Sequence, residues 1–287
     1  MNYRSAINRP ALGLAAVAAV LVPGLVAAAD TLPPGLIELT DGNSVYQADL
    51  LRFSADQSWL VEGVETLFTD LYFLNIGNSP ASRELRLEDF QSVAFSQPAS
   101  NRLSATFSNF GANLNLSINS ILLGGEPGSY RATRQETVTL TNSGTERLDV
   151  SLFKYIDYDL QFDSVLDNDT AFFSDNTFTQ FDASGSLATL TVDQDPTAVQ
   201  ISPYGQLLGQ LYNTPATGLQ NSSGLFVGGD ATAAFQFDRG LAPGESVAFE
   251  FVMNVQRQTT TKAVPEPGTA FTLSIVAAGL ALLRRRS

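Results

Sequence analysis

The sequence predicts an all-β protein: a large two-sheet antiparallel β-sandwich, with an N-terminal signal helix and a short C-terminal transmembrane helix outside it. Three observations point there. Apolar residues between Asp30 and Arg257 recur mainly with a period of two, the spacing that lays one side of a strand on a core. Turn-forming residues break that pattern roughly every 8–15 positions, the rhythm of short strands joined by tight connections. Thr, Ser, Asn, Val and Phe are plentiful, whereas Met occurs twice and lysine only as Lys154 and Lys262. Threonine, valine and phenylalanine are side chains that fit a pleated, half-buried surface.

Residues 1–29 read as a signal peptide. Arg4 and Arg9 precede an apolar run from Ala11 to Val22; Pro23 and Gly24 break it, and Ala27-Ala28-Ala29 lead to Asp30. A charged region, a short apolar region and small residues at Ala27 and Ala29 make an A-x-A site, with cleavage by signal peptidase before Asp30. A retained membrane anchor is the alternative, but the apolar run is short for a span.

Residues 30–257 form the β-sandwich domain. In Gly244–Val255, Val247, Phe249, Phe251 and Met253 alternate with Ala248, Glu250, Val252 and Asn254, after a turn at Ala242-Pro243-Gly244-Glu245. Glu136–Leu160 reads as strand, turn, strand, with Asn142-Ser143-Gly144 at the corner. LSATFSNF, ANLNLSINSILL, SLATLTV and TAAFQFD are further strands. Trp59–Leu74 has near-helical spacing at Leu60, Val64, Leu67, Phe68 and Leu71, and Arg83–Phe95 is equally ambiguous. Gly63 weakens a helix in the first, so both are read as strands. Gln256–Ala263 is polar and threonine-rich, with a linker over residues 258–263.

Chemistry, if present, concentrates in Lys154–Asn176. On a strand, Tyr155, Asp157, Asp159 and Asp163 share one face; Asp167, Asn168 and Asp169 then fall in a turn. Carboxylates crowded on one face repel unless they are solvated, protonated or bridged by a cation. Three readings follow: a solvated acidic surface, a structural calcium site built from Asp157, Asp159, Asp163, Asp167 and Asp169, or catalytic carboxylates. Calcium takes 6–8 oxygens and suits carboxylates, although D-N-D here lacks the glycine and distal glutamate of an EF-hand. A glycosidase needs two carboxyls about 5–10 Å apart, a spacing that Asp157 and Asp159 meet but that many acidic pairs would also meet. Trp59 reads as core, while Tyr204 and Tyr212 are candidate platforms for sugars. The run around Phe153–Leu160 resembles in general style the secreted carbohydrate-related β-sandwiches, without matching a defined family.

Composition excludes other chemistries. The chain has neither cysteine nor histidine. Disulfides, thiolate nucleophiles, histidine bases and the usual zinc sites are therefore ruled out. The net charge is −13; five of the 16 bases but only one of the 29 acids, Glu266, lie outside residues 30–264. A domain that negative repels nucleic acid. Ser222-Ser223-Gly224 and Gly228-Gly229-Asp230 are loops rather than phosphate cradles, and no organic cofactor is expected.

The chain closes VPEPGTAFTLSIVAAGLALLRRRS. Val264, Pro265, Glu266, Pro267 and Gly268 precede an apolar segment, Thr269–Leu283, and then Arg284, Arg285 and Arg286. This ordered arrangement over residues 264–287 resembles the PEP-CTERM sorting signal. The resemblance implies processing by an exosortase near Pro265-Glu266-Pro267, export in a Gram-negative bacterium, and a place at the cell surface or in an exopolysaccharide matrix. The physics agrees: about 15 residues rise roughly 22 Å, short of the ~30 Å hydrocarbon core, so the tail is a marginal inner-membrane tether. Three arginines behind it stop transfer and favour a cytoplasmic end. A permanent anchor is the alternative.

These readings together predict a non-enzymatic exported protein, structural or adhesive, with extracellular polysaccharide as its partner. The alternative is a polysaccharide-acting, carboxylate-dependent enzyme, or a module that binds calcium or carbohydrate.

Overall fold

The computed structural model describes residues 35–52, 57–77, 84–110, 113–160, 168–213 and 218–258. The signal-peptide residues Ala27, Ala29 and Asp30, the motif Val264–Gly268, the apolar segment and Arg284–Arg286 all lie outside these. Among the described residues no helix is long and apolar enough to cross a membrane.

Among the described residues eighteen strands follow in chain order. They are β1 (Leu36–Asp41), β2 (Ser44–Asp49), β3 (Gln57–Val61), β4 (Val64–Glu65), β5 (Leu67–Ile76), β6 (Leu85–Arg86), β7 (Ser92–Ala99), β8 (Arg102–Phe110) and β9 (Leu114–Gly124). Then come β10 (Arg131–Asn142), β11 (Leu148–Tyr158), β12 (Asp169–Ser174), β13 (Thr177–Phe181), β14 (Leu187–Val192), β15 (Ala198–Pro203), β16 (Phe226–Gly229), β17 (Ala231–Leu241) and β18 (Ser246–Gln256). A 3-10 turn covers Leu87–Asp89, and one helix, α1, covers Gln206–Tyr212.

The expected antiparallel sandwich is what forms. One layer is a nine-stranded sheet ordered β16-β12-β13-β14-β18-β10-β9-β8-β7. Facing it is a five-stranded sheet, β15-β17-β11-β5-β6. Phe237 meets Phe249 and Phe251 across the gap, Tyr72 meets Phe251, and Phe235 meets Phe173 and Phe178, with ring centroids 4.9–6.5 Å apart. A third, four-stranded sheet, β1-β2-β3-β4, packs beside the second one and reaches β9 and β5. Sequence periodicity marks strands but not which sheet each one joins, so alternation alone does not reveal this division.

Local chemistry explains the joints. Both ambiguous segments contain strands. In the first, Glu62 and Gly63 both adopt left-handed backbone, with φ of 55° and 73°. They form the two-residue turn that twists β3 back onto β4, pairing Val61 with Val64. In the second, β6 and β7 flank the 3-10 turn. The Asn142-Ser143-Gly144 corner also forms: Asn142 Oδ1 accepts from the Gly144 N–H, and Nδ2 donates to the carbonyls of Glu146 and Leu241. It carries the chain between layers, because β10 belongs to the nine-stranded sheet and β11 to the five-stranded one. Trp59 is core, with its indole N–H donating to Ser44 Oγ at 2.9 Å. Helix α1 has no counterpart in the sequence reading; it starts after Gly205 in a left-handed conformation and buries Leu207 and Leu211.

Candidate functional site

The acidic run does not form the solvated face expected of it. Strand β11 is third of five in its sheet, and every residue from Leu152 to Tyr158 is buried. The expected phase is right: Tyr155 and Asp157 share a face, and the Tyr155 hydroxyl donates to Asp157 Oδ2 at 3.1 Å. Both faces of this strand are covered, however, so Asp157 is only 1% exposed.

Around Asp157 the chain gathers more acids. Asp157 stands opposite Thr232 of β17 and Thr69 of β5. Asp169, at the start of β12, accepts at Oδ2 from the Ala231 N–H (3.2 Å) and from Gln180 Nε2 (2.9 Å). Asp230 lies between β16 and β17, and its carbonyl accepts from the Tyr204 N–H at 2.8 Å. Tyr204, 51% exposed, packs edge-on against Phe68. Thus Asp157, Asp169, Asp230 and Tyr204 meet where β17 begins.

Their electrostatics follow from that crowding. Burial pushes the Asp157 carboxyl well above the carboxylate range; Asp230, Asp159 and Asp169 push it further, against the Tyr155 hydrogen bond. Burial also raises Asp169, to about 6, with Asp230 adding to the rise and the Ala231 N–H and Gln180 opposing it. Burial, then Asp157 and Asp230, raise the Tyr204 phenol. A carboxyl with a pKa near 6 can give and take protons at neutral pH.

Of the five proposed calcium ligands, Asp163 and Asp167 lie outside the described residues, Asp157 and Asp169 are buried, and Asp159 is half-buried. Among the described residues no group of three or more acidic side chains is arranged to hold a metal ion. Of the two tyrosines, Tyr204 is exposed, whereas Tyr212 packs on Phe73 and lies under the Arg86 guanidinium.

A second ionic group went unread in the sequence. Arg134 and Glu136 of β10, Asp70 of β5 and Lys154 of β11 are all buried between the sheets. Arg134 pairs with Asp70, and Lys154 pairs with Asp70 and, at 3.0 Å, with Glu136. The Tyr72 hydroxyl donates to Glu136 at 2.7 Å. The Arg134 guanidinium stacks on Tyr46, 3.9 Å from the ring centre. Burial pushes Glu136 up, but Arg134, Lys154 and the Tyr72 hydrogen bond outweigh it and hold the carboxyl at about 2. The signal was present: Ala132, Arg134, Glu136, Val138 and Leu140 fall in one strand phase, the phase that is buried.

No protein-family model matches the sequence, and no curated protein matches it. Solved structures do resemble the fold. A galactose mutarotase related enzyme from Lactobacillus acidophilus superposes with a TM-score of 0.52 at 7% identity, over 78% of this chain and 98% of that one. A C. elegans aldose epimerase homologue gives 0.50 at 7% identity, over 78% and 99%. A putative aldose 1-epimerase from Escherichia coli gives 0.49 at 11% identity, over 78% and 99%. At such identities the likeness is one of fold. It nevertheless corrects two expectations, that the domain is a structural or adhesive matrix module and that it is not an enzyme. The sandwich is of the kind on which a galactose mutarotase related enzyme and an aldose epimerase homologue are built.

Proposed function

We propose that the domain performs acid–base chemistry on carbohydrate, at or next to an anomeric carbon. The observation that carries this reading is the pairing of two buried carboxyls of raised pKa, Asp157 and Asp169, beside the exposed ring of Tyr204. Support comes from the fold, which a galactose mutarotase related enzyme and an aldose epimerase homologue also use. Interconverting anomers, like cleaving a glycosidic bond, needs one group to accept a proton and another to donate one. Asp157, whose burial favours the protonated form, is the donor. Asp169, ionised above about pH 6, is the acceptor. Tyr204 offers its ring face to a sugar; Asp230 raises the pKa of both carboxyls, and Asp159 adds to the rise at Asp157.

The test uses two assays: polarimetry of freshly dissolved α-D-galactose and α-D-glucose, and reducing-sugar release from neutral polysaccharides. One of them is expected to exceed the buffer rate, with a rising limb near pH 6. Asp169→Asn is expected to lower that rate by about 10²-fold or more. A wild-type rate equal to buffer in both assays, or an Asp169→Asn variant of full activity, overturns the reading.

The address proposed for this activity rests on the resemblance of the tail to the PEP-CTERM signal: release by exosortase to the cell surface or its matrix, where polysaccharide is at hand.

A further inference from the structure

The outer face of the nine-stranded sheet carries a chemistry that the acidic end does not use. From Gln91 to Gly125 the sequence contains no acid, and Arg102 is its one charge, in a chain of net charge −13. This stretch builds β7, β8 and β9. Its outward side chains continue onto β10 in register. Ser104 stands opposite Asn119 and Asn119 opposite Thr137; Thr106 stands opposite Ser117 and Ser117 opposite Thr139. Neighbours in such a grid lie about 4.8 Å apart across the strands and about 6.8 Å apart along them. All six are half-buried or exposed. With no hydrogen bond to another described side chain, they present their donors and acceptors to solvent.

Farther across the same face, a groove of about 230 Å³ opens between β10, β18 and β14. Arg131, Leu187, Thr189 and Asn254 line it. Thr133 Oγ1 donates to Asn254 Oδ1 at 2.7 Å, and Asn254 Nδ2 donates to Thr189 Oγ1 at 3.2 Å, which fixes the amide in the groove wall.

We infer that this face binds a neutral polysaccharide, laid across β8, β9 and β10 with a sugar seated in the groove. Charge selects the occupant. Over β8, β9 and β10 this face presents no carboxylate, with Glu250 of β18 opposite Thr137 at its edge, so nothing there calls for a cationic partner, while the rest of a strongly negative protein repels polyanions. Hydroxyls and amides both donate and accept, which matches a ligand covered in hydroxyls. Threonine methyls and Leu187 meet the C–H faces of pyranose rings. The grid is flat and offers no aromatic ring, so each sugar binds weakly and retention depends on many sugars engaging one chain. Asp169 bonds inward to Gln180 and Ala231, so this surface is separate from the proposed reaction site and does not depend on turnover there.

Affinity electrophoresis of the purified full chain tests this, in gels containing soluble starch, dextran, hydroxyethyl cellulose or alginate. Retardation is expected in at least one neutral gel and not in alginate. The double variant Thr106→Glu/Thr139→Glu, both positions pointing outward, is expected to weaken retardation at least tenfold with an unchanged Tm. Asp169→Asn is expected to keep full retardation while losing turnover, which separates failure of this inference from failure of the proposed reaction. Three outcomes overturn it: no retardation in any neutral gel, retardation equal in the double variant, or sedimentation showing a dimer that the double variant dissociates.

Discussion

Lys154→Met is expected to destabilise the domain by about 3–5 kcal/mol, which lowers Tm by roughly 10 °C or more for a domain of this size. Lys154 lies between Asp70 and Glu136 with no access to water. Removing it leaves two buried carboxylates to share Arg134. An unpaired buried charge costs far more than the intact pair contributes. The double variant Lys154→Met/Glu136→Leu removes one charge of each sign and leaves the Arg134–Asp70 pair whole. It is therefore expected to recover most of the loss, because replacing a buried ion pair with apolar side chains of similar size is often close to neutral. Urea titrations of wild type, both single variants and the double give the coupling energy. A coupling below about 0.5 kcal/mol would show that the two residues contribute separately and that the group is not a unit.

Much of this fold can be read from alternation, and the failures have a common cause. Strand β18 shows Val247, Phe249, Phe251 and Met253 in one phase, with Phe249, Phe251 and Met253 buried as expected. Its opposite face meets water, so period two and burial agree. In β11 the phase is equally clear, but both faces of the strand are covered, so polar residues in either phase are buried. The sequence carries no mark of that second cover. The same blindness hid Arg134, Glu136 and Lys154, because a charged residue in a core phase looks like a lapse in the pattern until its partner on another strand is known. Asp70 and Arg134 are 64 positions apart. Helix α1 escaped for a different reason: its seven residues hold only two buried positions, Leu207 and Leu211, too few for a helical period to stand out from strand-like surroundings.

Asp157→Asn is expected to stabilise the domain, and to do so only at neutral and alkaline pH. Burial and the neighbouring carboxylates raise the folded pKa of Asp157 well above the ordinary value, and raise that of Asp169 from 3.8 to about 6. A group that binds its proton more tightly when folded makes stability fall as pH climbs from the unfolded pKa to the folded one. Below about pH 4 these carboxyls are protonated in both states and cost nothing electrostatically. Above the folded value the charged form must be held in a dry, acidic place. A tenfold gain in proton affinity on folding corresponds to about 1.4 kcal/mol. With allowance for the water that still reaches Asp169, its ionisation costs on the order of 1–3 kcal/mol above about pH 6. Asparagine keeps the shape and can still accept the Tyr155 hydroxyl. Asp157→Asn is therefore expected to raise Tm by about 3–8 °C at pH 8 and to leave it nearly unchanged at pH 4, as calorimetry across that range would show. An equal rise at both pH values would mean that packing, not charge, accounts for it; a fall at pH 8 would mean that Asp157 is stabilised by a charge partner. The expected pattern also bears on function. A fold that keeps two carboxyls where ionisation weakens it retains a cost that two asparagines would remove, and such a cost is characteristic of groups kept for proton transfer.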